Sequence, residues 1–179
     1  MGEAEFCLVA LGANEKIFEE FKKRLDDLVA LNDDFQEIRE QAEIPPGERW
    51  RKLKEIHPLA CELLNFEVNE EFLKDDPQLN NLTTAIPDLT AEYVLDYEDG
   101  VITLYDYVWH LSKWDGLANW LEDRGCIAAW ASEEYVDMRT YLISWIRGFR
   151  KEDIVDKLYK LLSEGKVDEV RRLLLALKI

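Results

Sequence analysis

The chain has two histidines and three cysteines, and these few residues bound the chemistry it can do. His57 lies four residues before Cys61, with Pro58 between them, so a helix starting at Pro58 would let the two side chains face one another. With Glu62 and the distant His110 they could supply four zinc ligands, but the short repeated Cys/His spacing of a zinc site is missing. His110 follows Asp106 by four residues, a helical spacing at which a carboxylate orients and charges an imidazole. The plainer reading is an ion pair on a helix surface. Cys7, Cys61 and Cys126 are odd in number and far apart. They form neither a disulfide framework nor a metal clip, and free thiols in a reducing cytoplasm fit them best.

Two further patterns touch known chemistry. Asp99, Gly100, Ile102, Thr103 and Asp106 match the later positions of a calcium-binding EF-hand loop. The earlier ligand positions hold Leu95 and Tyr97, which offer the ion no suitable side-chain oxygen, and Asp106 is a methylene shorter than the bidentate Glu required. A tight turn followed by a Thr103-capped helix accounts for the same residues. Arg51 and His57 lie six residues apart. Their spacing loosely resembles the arginine–histidine signature of HEPN-type helical ribonucleases, which implies a His for acid–base work and an Arg to hold phosphate. A histidine on a surface helix end, suited to the C-terminal dipole, explains His57 equally simply.

No Gly-rich phosphate loop, Ser-His-Asp arrangement or metal-ligand spacing is present, so the sequence assigns no catalytic residue, cofactor or metal. Charge is more informative. Residues 1–100 hold 10 Lys/Arg against 25 Asp/Glu, a net of −15, whereas residues 101–179 hold 12 against 13. This acidic front disfavours nucleic acid as a ligand. It could serve as a docking face or decoy for a basic partner, although a solvated surface is the simpler role. Five of the six tryptophans lie between Trp109 and Trp145. Trp and Tyr with Arg are the usual anchors of protein interfaces, and most such rings also fill cores. Tyr105, Trp109, Trp114, Trp120 and Arg124 are the residues expected at a partner surface, whether the partner is another protein or a second copy.

The elements that must position these residues read as helical. Ile17, Phe18, Phe21, Leu25, Leu28 and Val29 repeat with helical period behind an Asn14 cap. Asp34 with Glu37 suggests a second start. Pro46 opens a helix carrying Trp50, Leu53 and Ile56, and Pro58 opens a short one. Pro87 suggests a helix to about Leu95, Thr103 another with Leu104, Tyr107, Val108 and Leu111, and Asp115 a third. Ser132 caps a helix carrying Tyr135, Tyr141 and Trp145, and Gly165 turns the final helical hairpin. Phe6 to Leu11, and a hairpin over Asp99-Gly100 near residues 93–105, are the places where strands could form. The expectation is an all-α fold, an orthogonal bundle of about eight to ten short helices. It forms a single compact domain, divisible into an acidic part (1–64), a loose acidic linker (65–88) and an aromatic-rich part (89–179). No apolar run is long enough to span a membrane and no secretory leader is recognised. The expected function is a non-catalytic cytoplasmic interaction protein. The alternatives are a small enzyme or metal-binding protein using His57 or His110 with nearby carboxylates, and an acidic inhibitor resembling a DNA mimic.

Overall fold

A computed structural model describes residues 3–109, 114–133 and 137–178. At its centre is a four-stranded antiparallel sheet, so the fold is mixed α/β and not an all-α bundle. The strands are β1 (Glu3–Leu11), β2 (Val94–Glu98), β3 (Val101–Trp109) and β4 (Ile127–Ser132), ordered β2-β3-β1-β4. β1 pairs with β3 on one side and β4 on the other. Phe6, Leu8 and Ala10 face one helical layer, and Cys7, Val9 and Leu11 face the other, all without solvent exposure. A strand covered on both faces has no polar alternation, and periodicity cannot distinguish it from a short buried helix.

The expected helix after Thr103 is also corrected. Ile102, Leu104 and Val108 point to the first layer, while Val101, Thr103 and Tyr105 lie on the opposite face of β3. Leu104, Tyr107 and Val108 are spaced as a helix stripe requires, but local backbone geometry decides otherwise. Asp99 (φ 49°) and Gly100 (φ 80°) are both left-handed, as a two-residue turn joining twisted antiparallel strands requires. The carbonyl of Gly100 accepts the amides of Gly12 and Ala13, each at 2.9 Å, which ties this hairpin to the end of β1. The helix expected from Pro87 is absent. Thr90 instead donates its amide and hydroxyl, both at 2.8 Å, to the buried Asp106 carboxylate.

The first layer contains α1 (Glu15–Ile38), α2 (Pro46–Ile56), α3 (Pro58–Cys61), α4 (Glu70–Leu73), α5 (Asn80–Ala85) and α6 (Asp115–Asp123). Asn14 caps α1 by accepting the Ile17 amide at 2.8 Å. The helix then runs straight through Asp34, with Ile17, Phe21, Leu25, Leu28, Leu31 and Phe35 buried along one stripe. The α4 and α5 helices lie within the stretch read as a loose linker. The β3–α6–β4 connection crosses β1, leaving β3 and β4 parallel to each other on either side of it. The second layer is α7 (Met138–Phe149), α8 (Lys151–Ser163) and α9 (Val167–Leu177). Asp137, not Ser132, caps α7 by accepting the Thr140 amide. The α8–α9 hairpin turns at left-handed Gly165. Among the described residues no helix is long and apolar enough to cross a membrane.

Candidate functional site

Of the residues expected at a partner surface, Trp114, Trp120 and Arg124 lie on or beside α6, and Tyr105 lies on the opposite face of the sheet. Trp114 precedes α6, has no exposed surface and stacks on Phe6 of β1 with ring centroids 4.0 Å apart. Trp120, one and a half turns along α6, is buried against Phe21 of α1. Both rings pack α6 onto the sheet and α1. Arg124 is committed to the same cluster. Its guanidinium lies 3.5 Å from the centre of the Trp120 ring, and it donates to the Trp120 carbonyl at 3.0 Å. The Trp109 side chain, like all of His110, lies outside the described residues. Tyr105 is half-buried on the second face of the sheet. It hydrogen-bonds to Cys7, and burial followed by this contact pushes its hydroxyl up to about 12.

Tyr105 lines a polar recess of about 420 Å³ with Thr103, Asp96, Glu98 and Arg139. Arg139 donates from Nε to the Thr103 hydroxyl at 3.2 Å. Cys7 beneath Tyr105 is raised to about 12, chiefly by burial, so its thiol is not a nucleophile. Cys7 itself does not line the recess, whose charged groups are the Asp96 and Glu98 carboxylates and the Arg139 guanidinium.

His57 is not a surface residue. It is buried at the junction of α2 and α3, between two carboxylates of α1. Its Nδ1 lies 2.8 Å from Asp27 and its Nε2 2.5 Å from Asp34. Burial opposes the charged ring, but the hydrogen bonds and charges of Asp27 and Asp34 outweigh it and raise the pKa. A ring with both nitrogens facing carboxylates donates from both, which requires the imidazolium. The second oxygen of Asp27 accepts the Ala60 amide at 2.8 Å, so one carboxylate serves both the histidine and the start of α3. This unit clamps α2–α3 to α1. Arg51 is exposed on α2 and does not join His57 around a common space, which removes the ribonuclease-like geometry. Asp99 and Asp106 likewise do not converge: one is at the hairpin tip and the other is in the core holding Thr90. Among the described residues no group of three or more His, Cys, Asp or Glu side chains could hold a metal ion.

The exposed apolar side chains collect elsewhere. Among the described residues, nine of the twelve large ones lie on α7, α8 and α9. Tyr141, Trp145 and Phe149 form an i, i+4, i+8 stripe on α7, and Trp145 stacks on Phe149 at 5.9 Å. On α8, Val155, Tyr159 and Leu162 form a second stripe. Val167, Leu174 and Leu175 add a third on α9. Phe149 is 81% exposed and Tyr159 71%. Each helix buries one face on the sheet or its neighbour and presents a second apolar face outward. The sequence signal was available: helical windows after residue 138 hold more apolar residues than a single buried stripe needs. Comparison with protein-family models, curated proteins and solved structures returned no match.

Proposed function

We propose that the protein is a non-catalytic interaction module whose protein partner docks on the outer face of α7–α9. The observation that carries this reading is the concentration of exposed Trp145, Phe149, Tyr159 and the flanking aliphatic residues on three successive helices. Aromatic rings on rigid helices anchor interfaces at small entropic cost, and a protein partner would remove them from water. The acidic α1–α5 layer lies across the sheet from this face and contributes solubility or a second, electrostatic contact. The buried free thiols suit a reducing compartment, which supports a cytoplasmic setting.

The test is affinity capture of the tagged protein from its own cells, with nuclease and at low and high salt, beside the F149D/Y159D variant. A stoichiometric protein that resists salt and is lost with the variant supports the reading. Retention of the same partner by the variant overturns it, and loss at high salt alone transfers the contact to the acidic layer. Size-exclusion chromatography with light scattering identifies the case in which the partner is a second copy.

A further inference from the structure

A cleft opens on the opposite side of the sheet from α7–α9, between α2 and the segment 68–74 that contains α4. Its volume is about 920 Å³, within the range of small-molecule sites. Trp50, Val68 and Leu73 give it apolar walls. Arg51 and Lys54 enter from α2 and Lys74 from the end of α4.

These cations stand out against their surroundings. Their half of the chain has 25 acidic residues to 10 basic ones, yet none of the three side chains makes an ion pair or hydrogen bond among the described residues. Glu48 and Glu55 also line the cleft, so its walls carry three positive charges and two negative ones. Both glutamates neighbour Arg51 on α2, Glu48 three residues before it and Glu55 four after. At about 100° per residue, Arg51 and Lys54 fall on the middle of the α2 face that lines the cleft, with Trp50 at one margin and both glutamates at the other. Lys74 closes the cationic side from the opposing wall. An apolar wall beside three exposed cations suits a molecule with one anionic end and an apolar body.

We propose that this cleft binds a small amphipathic carboxylate, its apolar body against Trp50, Val68 and Leu73 and its anionic group held by Arg51, Lys54 and Lys74. The long stems of the two lysines add apolar cover while their ammonium groups reach the anion. The surrounding net negative charge opposes entry of any anion, so selectivity comes from the apolar contact and the three local cations acting together.

The test is a fluorescence titration with anilinonaphthalene sulfonate, an aromatic anion, followed by displacement with dodecanoate and with dodecanol. One saturable site displaced by dodecanoate much more effectively than by dodecanol is expected. The R51E/K54E variant should weaken probe binding about tenfold or more, and F149A/Y159A should leave that site unchanged. Arg51 and Lys54 are solvent-exposed, so circular dichroism and the melting temperature should match the wild type; if that variant fails to fold, Lys74→Glu on the opposite wall decides. Equal displacement by dodecanol, wild-type binding by the charge-reversed variant, or loss of the site only in F149A/Y159A would overturn the proposal.

Discussion

The Nε2 of His57 lies 2.5 Å from a carboxylate oxygen of Asp34, and this contact joins the end of α2 to the last turns of α1. With Asp27 on the other ring nitrogen, it makes the fold's first helical layer sensitive to the charge of one imidazole.

The pH dependence has a definite sign. The folded-state pKa of His57 is raised above its ordinary value of 6.5. Its contribution to stability is therefore complete below the unfolded pKa and is lost as pH rises through the raised folded value. Urea unfolding of wild type and His57→Asn across this range should show the wild-type advantage shrinking with rising pH. A difference that grows with rising pH would show that the ring is held neutral.

Asp27 should be more costly to lose than Asp34, because it also accepts the Ala60 amide. Asp27→Ala removes both bonds and leaves the buried histidine and an amide short of acceptors, at about 2–4 kcal/mol. Asp34→Ala should cost about half as much, since Asp34 is more exposed. Chemical denaturation of the two variants gives the order directly.

Gly116, in the first turn of α6, packs on the backbone of Leu63, where a Cβ would overlap the carbonyl group. Gly116→Ala should destabilise the protein by about 3 kcal/mol, although alanine is the better helix former. A variant as stable as wild type would show that α6 and the segment following α3 separate without cost.

Trp114 and Phe149 should respond oppositely to truncation. Trp114→Ala opens a cavity beside Phe6 and should cost about 3–5 kcal/mol. Phe149→Ala should change stability by no more than about 0.5 kcal/mol while weakening partner capture. Thermal melts of the two variants, beside the capture experiment, separate core from surface.

The thiols report on opening. Burial raises Cys126 and Cys7 to about 12 and Cys61 to about 11. In the native protein at neutral pH, a disulfide reagent should label Cys61 first, and Cys7 and Cys126 only as fast as the molecule unfolds. Rapid labelling of Cys126 would show that α8 and α9 lift from the sheet.

Local signals in the sequence determined the caps and ends of several elements. Asn14 and Gly165 act through bonds and dihedral angles within a few residues, so their roles in α1 and the α8–α9 turn are legible without the fold. The acidic first half was equally plain. The sheet was not, because β1 is buried on both faces and β3 carries residues that satisfy helical and extended spacing alike. Pairing between positions nearly a hundred residues apart, such as Leu8 with Leu104, decided between them. The same long-range packing decided which aromatics are interior. Trp114 and Trp120 meet Phe6 and Phe21 from the far end of the chain, whereas Phe149 meets only its neighbour Trp145 among the ring contacts of the described residues. His57 became a clamp for the same reason, since the two carboxylates that charge it belong to another helix. Residue type fixes what a side chain can do, and only the tertiary structure decides what it meets.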